Sequence, residues 1–268
     1  MILYIFFFGL IAALLFTSGS GSGIDPATLS DEELYSILWN GFTSNIPGSI
    51  ALILAFSLFG MFLQSFFTAG AIGMAKKASE TGDTVFSDMF RSGSKNGFRL
   101  FLTNLMLALL FLAGIVFVVP GALAIGDLKS LIESPEMPVE GIGVLGIGIL
   151  FWTIYLLVLN IVLSIAPYAL VIDELDPLDA LKTGYRFFKE NKLDVFFIWI
   201  ISVGLAFVNG LISEVLGTQS ILISGITYFV PIFILQPLTA VLWTRLYLVG
   251  ENRELYNPYD LLSDPEGF

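Results

Sequence analysis

The chain has 268 residues, 56% hydrophobic and only 13% charged, with a mean hydropathy of +0.87 and a net charge of −11. A soluble domain carries about 25% charged residues, and one this apolar would have no place to hide its surface. Cys and His are both absent, which excludes disulfides, thiolate chemistry and the commonest general base. The acid excess argues against nucleic acid and against broad adhesion to anionic lipid.

The first apolar segment, residues 1–16, is short and lacks a charged flank. Three readings stand: a span whose upstream part is missing, a genuine short span, or a secretory apolar region followed by Ser18, Gly19 and Ser20. The span is preferred, because no basic n-region precedes it. Residues 17–48 form an extracytoplasmic loop. It opens with a flexible Ser18–Gly23 run, and Ser30 and Glu33 then make a capping box. Leu34, Ile37 and Leu38 line one face of the short helix that follows, with Trp39 at its end. That helix either lies on the outer leaflet or packs on the bundle.

Five segments contain no Asp, Glu, Lys or Arg: Ser49–Ala75, Leu100–Gly126, Gly141–Ile172, Val195–Ser213 and Val215–Thr244. Each is long enough to cross about 30 Å of hydrocarbon. The expected spans are thus about 1–16, 49–75, 100–121, 141–172, 194–213 and 221–248, in one domain over 1–250, with an acidic tail at 251–268. Pro120-Gly121 is expected to close the third span, and Pro231 and Pro237 to kink the sixth. Gly141, Gly143 and Gly146 fit a dinucleotide fingerprint only superficially, since they lie inside a span; small-residue helix packing is expected there, and at Ala69 and Gly73.

The basic residues fall on one side. Lys76, Lys77, Arg91, Lys95 and Arg99 follow the second span; Lys182, Arg186, Lys189 and Lys192 follow the fourth; Arg245 and Arg253 end the sixth. The opposite side holds Lys129 alone, among the acids. Lys and Arg bias sets topology, so the side with eleven is cytoplasmic and both termini lie there. Trp199, Trp243, Tyr168 and Tyr247 fall near the cytoplasmic span ends, as an aromatic belt requires.

The two larger cytoplasmic loops resemble each other. Asp88-Met-Phe-Arg-Ser-Gly-Ser-Lys95 and Asp179-Ala-Leu-Lys-Thr-Gly-Tyr-Arg186 share acid, cation, hydroxyl, glycine and cation at a constant offset of 91 residues. A parallel duplication of span, cytoplasmic amphipathic helix and span accounts for this. In the second copy Asp176 suits a cap and Pro177 the first helical position. Leu178, Leu181 and Tyr185 make its apolar side. In the first copy Val85, Phe86, Met89 and Phe90 do so. Both are expected to be short helices at the inner interface, where Arg91, Lys95, Lys182, Arg186 and Lys189 contact lipid headgroups or a partner. Positive-inside anchoring alone also explains these cations.

Ala166-Pro-Tyr-Ala-Leu-Val-Ile-Asp173, Pro177-Leu-Asp-Ala-Leu-Lys-Thr-Gly-Tyr-Arg186, Pro120-Gly121 and Leu246-Tyr247 carry a family resemblance over roughly residues 49–250. The chain resembles the membrane domain attached to some glycerophosphodiester phosphodiesterases, together with related six-span proteins of bacteria and archaea. The resemblance implies architecture. Catalysis in those enzymes belongs to a separate soluble domain, so no catalytic residue is implied here.

No phosphate-binding loop, zinc spacing or nucleophile elbow is present. No ionisable residue lies in a span core, which argues against proton coupling. Gln64, Asn104, Asn160, Asn209 and Gln236 are the intramembrane amides; interhelical bonding is their default role and a solute path the alternative. Solvation is the default for the outer acids Asp31, Glu32, Glu33, Glu133 and Glu136, with a divalent cation as the alternative. The sequence therefore reads as an all-α polytopic helical bundle of the cell membrane. It is expected to be non-enzymatic and without cofactor, a scaffold, accessory or envelope-homeostasis factor. Its expected partners are membrane lipids, other membrane proteins or a second copy. The alternative is a permease for an uncharged or amphipathic solute.

Overall fold

The computed structural model describes residues 39, 43, 45–125, 139–217, 230 and 234–256. The described residues are helical throughout, with no strand among them. Expectations for the first span, most of the outer loop, Pro231 and the acidic tail beyond residue 256 lie outside them, as do those for the outer acids.

Packing divides the chain into two compact units, Met1–Phe66 and Phe67–Phe268. Helix α1, Ile46–Thr81, runs through both. In the first unit the Asn45 side chain accepts a hydrogen bond from Gly48 N–H at 3.1 Å, and Pro47 sits in the first turn. An Asn cap with an early Pro is a strong start signal. Ser65 returns its hydroxyl to Met61 O at 2.7 Å, so a buried polar group is satisfied within the helix.

In the second unit α1 ends at Gly82, whose φ of +76° is the left-handed stop that glycine supplies without strain. Helix α2 spans Phe86–Ala113 and tightens into a 3-10 turn at Gly114–Phe117, and α3 runs Val119–Ile125. The tightening leaves carbonyls in need of donors. Tyr155 Oη supplies Leu110 O at 2.8 Å, its ring standing where a Cβ on Gly114 would be. Helix α4 covers Val139–Leu163, α5 Ala166–Asp173, α6 Pro177–Glu190, α7 Lys192–Gly217 and α8 Gln236–Gly250.

Among the described residues four stretches are long and apolar enough to cross a membrane: Ile46–Thr81, Phe86–Ala124, Gly143–Asp173 and Lys192–Ile212. Only 6–22% of their most apolar windows is buried. Leu150, Phe151, Ile154, Phe197 and Phe207 all point outward. An apolar surface this continuous belongs in hydrocarbon. The core gathers instead at the cation-bearing end, around Ile72, Leu100, Ile165, Leu170, Ile172, Phe187, Tyr247 and Leu248.

Three local expectations change. Pro120-Gly121 does not end a helix: Pro120 sits in the first turn of α3, where its missing N–H leaves no bond unmade. A Cβ on Gly121 would reach Leu145 Cα at 2.3 Å, so this glycine serves the close approach of α3 to α4. The matching glycine on α4 is Gly148, whose Cβ would meet Phe117 O at 2.4 Å; Gly143 and Gly146 have no described neighbour within 4 Å. The first copy of the loop motif is not a separate short helix either. It forms the opening turns of α2 and continues straight into the apolar stretch. Where α8 begins, Ile234–Leu235 forms a wider turn just before Pro237, the irregularity expected of a proline there.

Candidate functional site: a polar clasp around the α5–α6 turn

Helix α5 leaves carbonyl oxygens without partners at its C-terminal end, where the backbone dipole is negative. The turn is made by Glu174, a non-glycine residue with φ +57°. Its N–H and that of Leu175 both bond to Leu170 O, the latter at 3.1 Å. Cations from two other helices then close on this turn. Lys76 of α1 donates to Ile172 O at 2.8 Å, and Arg99 of α2 to Glu174 O at 2.9 Å. Lys95 of α2 pairs with the Glu174 carboxylate at 2.5 Å. That hydrogen bond, the largest cause, holds the Glu174 carboxyl below the usual glutamate range, with the charges of Lys95, Lys76 and Arg99 adding to it.

Asp173 is gripped from the other side. Tyr247 of α8, fully buried, donates its hydroxyl to Asp173 Oδ2 at 2.5 Å. Arg253, just beyond α8, pairs with Asp173 Oδ1 and lies 3.9 Å from Glu80. Tyr256 N–H donates to Ser79 O at 2.8 Å, and the Tyr256 ring covers Gly82. Residues 251–256 thus strap α8 to the end of α1. Helix α6 lies beneath, with Phe187 against the Tyr247 ring at 5.2 Å. The clasp is a structural joint: each charge in it meets a partner, which is the condition for placing ions at a half-buried site.

The expected headgroup contacts divide. Lys95 is held by Glu174, Lys182 by Asp179 at 3.0 Å, and Arg186 lies 3.9 Å from Glu251. Lys189 sits over the Tyr185 ring at 5.7 Å. Arg91 is exposed, and among the described residues neither Arg91 nor Lys189 makes an ion pair.

Of the intramembrane amides, one lines the described cavity. Gln64 and Gln236 are exposed, and Asn104 and Asn209 half-buried. Asn160 alone lines the 420 Å³ cavity bounded by Phe111, Tyr168, Trp199 and Trp243, and its Oδ1 accepts from Trp199 Nε1 at 2.8 Å. Among the described residues no acid cluster is arranged to hold a metal.

Missed in the sequence were the roles of Lys76, Arg99, Asp173, Glu174 and Arg253 as one assembly. The only signal was that Asp173 and Tyr247, which bond here, end two of the motifs carrying the resemblance.

Outward apolar faces and a charged joint confined to one end define a helical membrane protein. The chain belongs to the family described as a domain of unknown function (DUF7847), whose family model matches residues 2–250. No curated protein and no solved structure matches it.

Proposed function

We propose that this chain is a six-span protein of the cell membrane with both ends in the cytoplasm, acting without catalysis as a scaffold or accessory subunit. The observation that carries the reading is the clasp. Lys76, Lys95, Arg99, Arg186 and Arg253, among the cations that set the orientation, join helix ends to one another, the work of a fixed platform. The duplication belongs to the same reading. Under the offset of 91 residues Gly93 coincides with Gly184 and Asn96 with Phe187, and all four are buried. The likeness to the phosphodiesterase membrane domain extends it: motif residues Asp173 and Tyr247 serve architecture, as a domain without its own chemistry needs.

The test is co-purification from native membranes. A stable protein or lipid partner, weakened when α6 is altered by Lys182→Ala with Arg186→Ala, supports the scaffold. Robust turnover of any substrate by the purified chain overturns it. The permease reading rests on the cavity beside Asn160, and solute uptake into vesicles that Asn160→Leu abolishes would establish it instead.

A further inference from the structure

Helix α6 has two apolar faces: one is buried by the fold, and the other is exposed at Leu178 and Tyr185 and half-buried at Leu181. Ala180, Gly184 and Phe187 are buried, Gly184 against Ala166 of α5 and Phe187 against Tyr247 of α8, and α6 also packs on α2, α4 and α7. At roughly 100° per residue, Leu178, Leu181, Lys182, Tyr185 and Lys189 share a different arc about 100° wide. Leu178 is 58% exposed and Tyr185 51%. No acid falls in this arc: Asp179 and Glu190 lie on the next edge, beside Arg186.

The place of α6 says what covers this face. It is tied to α5 by Glu174–Asp176 and to α7 by Asn191 alone. It also folds back along α5, since a Cβ on Gly184 would stand 3.0 Å from the Cα, Cβ and N of Ala166. Ala166 lies seven residues before Asp173, about 10 Å along the helix axis. The middle of α6 is therefore level with the last turns of the apolar stretch Gly143–Asp173, whose 31 residues outreach about 30 Å of hydrocarbon and so bring these turns to its edge.

We infer that the outward face of α6 is seated in the headgroup layer of an anionic leaflet. Leu178, Leu181 and Tyr185 rest on the acyl boundary, and Lys182 and Lys189 reach lipid phosphates. The Lys189 ammonium over the Tyr185 ring is the posture of a snorkelling cation on an apolar stem. The whole-chain charge of −11 does not oppose this, because the attraction acts within a Debye length: Lys189 makes no ion pair among the described residues, and Lys182 exchanges its exposed Asp179 partner for a phosphate. The inference rests on the proposed orientation in one respect, that the leaflet is the cytoplasmic one.

The chain has no Cys, so single labelling sites are clean. Full-length Leu178→Cys, Tyr185→Cys and Glu190→Cys, each carrying an environment-sensitive dye, are reconstituted in phosphatidylcholine vesicles with or without phosphatidylglycerol and a shallow spin-labelled lipid. Quenching at 178 and 185 is expected to exceed that at 190 by about twofold or more. The excess should shrink without phosphatidylglycerol, and likewise in Lys182→Gln with Lys189→Gln. Equal quenching at all three sites overturns the inference, and so does indifference to phosphatidylglycerol. Failure of the orientation is read separately in whole cells: an impermeant maleimide that reaches Ser94→Cys from outside reverses the chain and leaves the α6–leaflet contact standing.

Discussion

Tyr247 has no exposed surface, yet its hydroxyl must find a partner, and Asp173 is the group it meets. Tyr247→Phe keeps the ring on Phe187 and removes one charge-assisted bond, so stability should fall by about 1.5–3 kcal/mol. Thermal unfolding in detergent measures this, and Phe187→Ala should cost more, about 3–5 kcal/mol, because it opens a cavity. Glu174 tests two opposed effects. Its left-handed backbone costs about 1 kcal/mol in a non-glycine residue, while its pair with Lys95, both side chains half exposed, contributes less than about 1. Glu174→Gly is therefore expected to change stability by under about 1 kcal/mol in the same unfolding assay. The pH dependence follows from the depressed carboxyl. A lowered folded value means the stabilisation is present above the unfolded glutamate value, about 4.3, and is lost as pH falls through the lower folded one. Wild type should lose more stability than Glu174→Gln as pH falls from about 5 through the lowered folded value. None of this pairing was legible in the sequence: Asp173 stands 74 residues from Tyr247 and 80 from Arg253, and no local pattern spans such a gap. Arg253 read only as one more charge on the inner side.

At the scale of the element, α6 was legible in extent and not in orientation. Asp176 and Pro177 mark its start, and the helix begins there. Leu178, Leu181 and Tyr185 were the obvious apolar stripe, but bulk is not what the α5 contact requires. Gly184 admits the Ala166 backbone, and Ala180 and Phe187 fill the space on either side, so the smaller-residue face turns inward. Gly184→Leu should destabilise the protein by about 1–3 kcal/mol through overpacking, with protease cutting at the α5–α6 turn as the readout. Gly143→Leu, with no described neighbour within 4 Å, should leave the same digest unchanged. The first motif copy misled in another way. It has no proline between Phe86 and Ala113, and Gly93 and Gly97 are buried within the helix, so interface and span form one uninterrupted helix.

For the whole molecule, absence of charge was the legible signal for four of the six expected spans, the other two lying wholly or in part outside the described residues. The expected spans 49–75, 100–121, 141–172 and 194–213 each fall on one of the four membrane-length stretches. Their ends moved because helices continue past the hydrocarbon, with α1 reaching Thr81 and α2 starting at Phe86. How the ends are joined was not readable, since joints depend on long-range partners rather than composition. The strap has a consequence in time. Asp173 leaves the ribosome eighty residues before Arg253, an interval of about 4–16 s at ordinary synthesis rates. Through that interval the α5 turn lacks Arg253, one of the four cations that close on it and the one that pairs with Asp173. A chain stopped after Gly250 never receives it, and pulse-chase should show it degraded faster than the full-length protein. Synthesis of Arg253 and closure of the clasp are thus one event, and a quality-control protease needs only to sense the open turn to recognise a copy that lacks the strap.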